Sequence, residues 1–114
     1  ARGLPVISAL DRVEAAGRVM LGVPPDLSGA SSLPRVRALG AALGVPVEEY
    51  RVRGGERDLA LRLGLSDLAL VRAPVRDGEN LTVIGGQDGL PGGFLICAAA
   101  DDYLWLRRLA AAIR

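Results

Sequence analysis

Residues 17–71 read GRVMLGVPPDLSGASSLPRVRALGAALGVPVEEYRVRGGERDLALRLGLSDLALV, and this stretch decides the fold. RVMLGV (18–23), VPVEEYRV (45–52) and SDLALV (66–71) are short apolar runs of strand character. SSLPRVRALGAALG (31–44) and GERDLALRLG (55–64) are amphipathic runs of helical character. Alternation of this kind predicts a parallel sheet with helices packed on its faces. Leu33, Val36, Leu39 and Leu43 supply the buried stripe of the first of these helices, and Arg35 and Arg37 point outward. Ser31 or Ser32 is its expected N-cap, Pro34 suits its first turn, and Gly44 closes it. Leu59 and Leu63 are expected to face inward from the second, which Gly64 stops. Glu48, Glu49, Arg51 and Arg53 mark VPVEEYRV as an edge strand, whereas the apolar SDLALV reads as central.

Outside this stretch, Ile7, Leu10, Val13 and Ala16 recur at helical spacing. Ser8 followed by Asp11 is a capping-box-like start, and Gly17 ends that helix. Residues 72–93 are rich in Gly, Pro, Asp and Asn, and only LTVIG (81–85) within them has strand character. GGFLICAAA (92–100) is a further strand. Asp101 and Asp102 open a last helix, with Leu106, Leu109 and Ile113 on one face; Trp105 and Tyr103 on it either cover the sheet or lie in a subunit interface, and core packing is the preferred reading. The expected fold class is α/β: a mainly parallel sheet of four or five strands with helices on both faces. No repeat or linker divides residues 1–114, which read as a single domain.

Composition narrows the chemistry. With 114 residues, one core forms without staples. Aromatic residues make up only 4%, so Leu, Val, Ile and Ala must fill that core. A net charge of +1 gives no electrostatic footprint for nucleic acid. All 14 basic residues are Arg, a pattern of a GC-rich genome, of thermophilic ion-pair networks, or of both. No His is present, which removes imidazole acid–base catalysis and His metal ligands together. Cys97 stands alone inside the apolar run FLIC and is expected to be a buried, inert thiol. Gly85, Gly86, Gly89, Gly92 and Gly93 lack phosphate-loop spacing, and the chain has no Lys to complete one. The expectation is therefore no catalytic residues, no metal, no cofactor and no enzymatic activity. No apolar run reaches the ~18 residues of a membrane span. No stretch reads as a signal peptide. Ala1 is either a mature end after cleavage or a boundary within a longer chain.

Candidate binding residues lie where the strands end. The loop GVPPDLSGASS (22–32) joins a strand to a helix, and such loops sit at the carboxyl edge of a parallel sheet, where open α/β folds bind ligands. Asp26, Ser28, Gly29, Ser31 and Ser32 offer backbone N–H groups and hydroxyls to an anion there. Arg72 and Arg76 follow the central strand and offer guanidinium groups to the same rim. An ordinary capped helix start and solvated arginines remain the plain alternatives. Asp67 reads as a structural turn residue.

Taken in order, ALDRVEAAGRVMLGVPPDLSG (9–29), ALGAALGVPVEEYRV (38–52), LRLGLSDLALV (61–71) and GGFLICAAADDYLWLRRLAAAI (92–113) resemble the type II periplasmic binding proteins of ABC transporters. The shared pattern is a helix ending in Gly, a strand ending in Gly-Val, an Asp-containing loop, a Gly-x-x-Asp-Leu strand, then a returning strand and a terminal helix. The resemblance implies a single lobe. Where the family has its second lobe, this chain has only the connection 72–93, roughly twenty residues against the ~50 a domain needs. It also implies a ligand clamp of Thr or Ser followed by Arg, but those positions fall near Pro74 and Glu79. Glu79 repels a carboxylate, so Arg72 and Arg76 are the substitutes at hand.

The function these readings imply is a non-catalytic, solute-binding-like module for a small polar or anionic ligand such as an amino acid, acting alone or as a dimer. The alternative is a protein–protein interaction domain derived from a solute-binding lobe that has lost its ligand site. The expected partners are a small polar solute, a partner protein or a second copy of the chain, and not nucleic acid. The resemblance places it in the periplasm or otherwise outside the cytoplasm; without it, the cytoplasm is the default. Some relatives of this fold are cyclohexadienyl dehydratases, but no convincing carboxylate pair supports that chemistry here. A receiver domain needs an acidic pair and a Lys that the chain lacks.

Overall fold

The computed structural model describes residues 8–25, 27, 29, 33–53, 57–72, 81–85 and 94–113. In chain order the elements are α1 (Ala9–Ala16), β1 (Val19–Val23), α2 (Pro34–Leu43), β2 (Val47–Arg51), α3 (Arg57–Arg62), β3 (Leu68–Arg72), β4 (Leu81–Gly85), β5 (Phe94–Ala99) and α4 (Tyr103–Ile113). The strands form one five-stranded sheet in the order β2-β1-β3-β5-β4. β1 pairs in parallel with both β2 and β3, while β5 runs antiparallel to β3 and β4. Four strands therefore run one way and only β5 runs back. SDLALV is central and VPVEEYRV is an edge, as their composition predicts.

Alternation along each strand splits the core in two. Val19, Leu21 and Val23 of β1, Leu68 and Leu70 of β3, and Phe94, Ile96 and Ala98 of β5 pack beneath α1, α2 and α4. Ala69 and Val71 of β3, with Leu95 and Cys97 of β5, meet Leu61 of α3 on the opposite face. Helices thus cover both faces, three against one. Cys97 is fully buried, as its apolar neighbours imply.

Glycines end three helices as expected. Gly17, Gly44 and Gly64 have φ of 72°, 78° and 75°. At Gly64 the left-handed backbone and the close approach coincide, because a β-carbon would lie 3.3 Å from the Arg12 guanidinium.

Four local expectations are corrected. The N-cap position of α2 is Leu33, with no side-chain bond, and Pro34 follows it at N1. Ser31 and Ser32 lie outside the described residues. In α3, Leu59 is 46% and Leu63 63% exposed, and Ala60 and Leu61 are the buried pair. The helix has only six residues, and Leu61 is its described side chain that packs against Ala69, Val71, Leu95 and Cys97 of the sheet. In α1 the buried residues are Ala9 and Val13, with Ala16 exposed; Ile7 lies outside the described residues. In α4, Trp105 and Leu109 are buried and Leu106 and Ala112 pack partly covered against the core, while Ile113 and Tyr103, also expected to pack inward, are exposed.

The start of α1 also departs from a local capping box. Ser8 accepts a bond from the Leu10 N–H at 3.2 Å, as an N-cap does. The reciprocal carboxylate, however, belongs to Asp102, not Asp11. Its Oδ1 accepts from Ser8 Oγ at 2.6 Å and its Oδ2 from the Ala9 N–H at 2.8 Å. Asp102 Oδ1 also accepts the Trp105 N–H at 3.3 Å. One carboxylate therefore caps two helix N-termini and ties the chain's described ends together.

Candidate functional site

The carboxyl ends of β1, β2, β3 and β4 converge on one rim of the sheet, where β5 begins. The rim is firmly built where β1 and β2 leave it. The Val52 N–H donates to Val23 O at 2.8 Å, extending the parallel ladder past Arg51. Arg51 Nη1 donates to Pro25 O at 3.1 Å, fastening the loop after β1 to the end of β2. The Leu27 N–H returns to Pro24 O at 3.1 Å, so Pro24 opens a tight turn. Gly29 has φ +74°, a conformation glycine adopts without strain. Below the rim, Val23, Val52, Val71 and Phe94 are buried and close its apolar floor.

The sequence-predicted binding residues distribute as follows. Gly29 lies in the chain between β1 and α2. Arg72 is the last residue of β3, paired with Phe94 of β5, so its backbone stands on the rim; its side chain lies outside what the structure describes. Asp26, Ser28, Ser31, Ser32 and Arg76 lie outside the described residues.

Asp67 is a structural residue, as its turn position implies, and a more connected one than the sequence indicates. It precedes β3 at the opposite edge of the sheet, and it is buried. Its N–H donates to Met20 O at 2.8 Å, and its Oδ2 accepts the Met20 N–H at 2.8 Å. The carboxylate thus replaces a main-chain acceptor and starts the β1–β3 pairing. Its Oδ1 lies 3.3 Å from Arg12 Nη2. Burial pushes the Asp67 carboxyl up from its ordinary value of 3.8, against the opposing pull of the Met20 N–H and of Arg12. Nothing about its position points toward the rim, so its chemistry is that of a joint.

Among the described residues, two recesses stand out on the surface. One, of about 340 Å³, lies between α2 and α4 above Ile84 of β4 and Ile96 of β5; Arg35 is the one charged residue among its described lining residues. The other, of about 360 Å³, follows the turn from α2 into β2, past Gly40, Gly44 and Val47. Gly29 is not among the described residues that line either recess. Among the described residues, no cluster of three or more His, Cys, Asp or Glu side chains is arranged to hold a metal. No helix among them is long and apolar enough to cross a membrane.

No protein-family model matches the chain, and no curated protein sequence matches it. Solved structures do match. The arginine-bound form of domain 1 from TmArgBP superposes with a TM-score of 0.64 at 12% identity, covering 91% of this chain and 97% of that one. A single-substitution mutant of the same arginine-bound domain gives 0.65, also at 12% identity, covering 92% and 95%. At this identity the likeness is one of fold: the chain has the α/β architecture of a single domain of an arginine-binding protein.

Proposed function

We propose that the chain is a non-catalytic, solute-binding-like module that takes a small amino acid or a related polar or anionic solute at the carboxyl rim of its sheet. The observation that carries this reading is the likeness, over nearly the whole of both chains, to a lone domain that holds arginine without a second lobe. In the proposed site, the loop of Asp26, Ser28, Gly29, Ser31 and Ser32 supplies N–H groups and hydroxyls to the ligand. Arg72 or Arg76 grips its α-carboxylate in place of the clamp arginine that Glu79 displaces. A single lobe covers one side of a ligand, so affinity is weak unless two chains pair. Function outside the cytoplasm, beside a transporter, belongs to the same reading.

The second reading is an interaction domain that kept the lobe and lost the solute. What favours it is the Pro74 and Glu79 pair at the clamp positions. Titration calorimetry with the common L-amino acids separates the two. Saturable heat with at least one amino acid, weakened at least tenfold by Arg72→Ala or Arg76→Ala, supports solute binding by roughly the worth of a charged clamp. Silence across the panel, with a protein captured at stoichiometric amounts, supports the second reading.

A further inference from the structure

We infer that Arg51 is a positioning residue of the proposed solute site: its guanidinium, at the end of β2, holds the loop after β1 in shape before any solute arrives. This role presupposes solute binding at the rim, and it falls to a residue whose charge, in the sequence, marks only an edge strand.

Where the chain leaves β1, Val23, Pro24 and Pro25 present three main-chain carbonyls in a row, and the two prolines bring no N–H donors of their own. Each carbonyl is met from a different direction. Val23 O accepts the Val52 N–H at 2.8 Å, continuing the β1–β2 ladder. Pro24 O accepts the Leu27 N–H at 3.1 Å, across the turn. Pro25 O is met by a side chain instead: Arg51 Nη1 donates to it at 3.1 Å. The proline rings hold φ at about −65°, which leaves the loop few ways to move between these bonds. Leu27 and Leu33 then pack, partly buried, against the core beneath α1, α2 and α4. The loop is thus fastened at Pro25, Leu27 and Leu33, with Gly29 between the last two.

Arg51 suits this task by place and by chemistry. The β1–β2 register sets it opposite Val23, two residues before Pro25. A charged donor on a carbonyl makes a stronger bond than a neutral one does. Glu48 of the same strand is engaged with Arg18, whereas among the described residues no carboxylate forms an ion pair with Arg51 and draws it away from Pro25. A loop preset in this way leaves less ordering to be done when a ligand binds. Losing the Arg51 bond is therefore felt as lost affinity, at a residue that acts through Pro25 and not on the solute.

Arg51→Met keeps the apolar stem and removes every donor. In the ligand-free chain it is expected to speed hydrogen exchange of the Leu27 amide about tenfold. The Met20 amide, bound to Asp67 at the opposite edge, is the control and stays as it was. Against the L-amino acid that gives the largest heat in a calorimetric panel, Arg51→Met is expected to raise the dissociation constant roughly fivefold to tenfold. Arg51→Lys, which keeps a donor, recovers most of that loss. The ratio of variant to unmutated constants holds between ~20 and ~300 mM NaCl, because the bond is made to a neutral carbonyl. A ratio that falls to one in salt makes Arg51 a direct contact of the solute's charge and overturns the inference. Unchanged Leu27 exchange, or solute binding that ignores Arg51→Met, overturns it as well and leaves the solute reading standing. Silence of the unmutated chain across the panel is the distinct failure: it sinks the solute reading and this role with it. Should Arg51→Met lose its native circular dichroism, Arg51→Thr, a strand former too short to reach Pro25, takes its place.

Discussion

The indole Nε1 of Trp105 donates to the main-chain oxygen of Asp67 at 2.9 Å, joining the terminal helix to the residue that begins β3. Both partners are buried. Asp67 at the same time starts the β1–β3 ladder through Met20 and holds Arg12 of α1. One position therefore couples β1, β3, α1 and α4, at the edge opposite the proposed ligand rim.

Trp105→Phe keeps most of the ring's apolar contact but leaves the Asp67 carbonyl without its donor. The expected loss is about 2 kcal/mol, from an unmet buried acceptor and the smaller ring together. Urea denaturation followed by circular dichroism measures it; a loss below about 0.5 kcal/mol shows the bond to be dispensable.

Asp67→Ala strands the Met20 N–H and removes the partner of Arg12. It is expected to cost about 3 kcal/mol, as breaking one member of a buried pair does. The pH dependence has a definite sign. The folded-state pKa lies above the unfolded value, so the folded chain takes up this proton first as pH falls. The contribution of this group is fully present below the unfolded pKa, and it is lost as pH rises through the folded one. Melting temperatures of the unmutated chain and of Asp67→Asn, compared between pH 7 and pH ~4, should therefore diverge. The difference, unmutated minus variant, grows more positive toward acid, and a difference that shrinks contradicts the assignment.

Ser66 makes the contrasting case beside it. Its side chain is 1% exposed, and its Oγ has no hydrogen-bond partner among the described residues. Ser66→Ala removes that unmet hydroxyl without opening a large void. It is expected to stabilise the fold by up to about 1 kcal/mol. A marked destabilisation in thermal melts would indicate a partner for the hydroxyl.

Asp102→Ala removes the carboxylate that receives Ser8 Oγ and the N–H groups of Ala9 and Trp105. Two helix starts lose their cap at once, for an expected cost of about 2 kcal/mol. Asp11→Ala, by contrast, should change stability by less than about 0.5 kcal/mol, because Asp11 is exposed and α1 is capped from elsewhere. Equal effects from the two substitutions would return the capping role to the local pair.

Residues 17–71 carry their strand–helix order openly, because apolar periodicity and terminal glycines are local signals. Apolar SDLALV and charged VPVEEYRV also disclose which strand is central and which is an edge, since burial on both faces forbids charge. The proposed ligand rim is legible only as a place: the Arg72 backbone stands on it, but the chemistry of a binding loop depends on where side chains converge. What the tertiary structure alone decides are the long-range choices. Leu61 rather than Leu59 or Leu63 faces the sheet because a six-residue helix takes its facing from the strands beneath it. Asp102 rather than Asp11 completes the cap at Ser8, and Asp67 becomes a four-way joint, because hydrogen bonds between residues dozens of positions apart leave no mark in local spacing. Local pattern settles which segments become strands and helices; only packing settles which polar atoms meet.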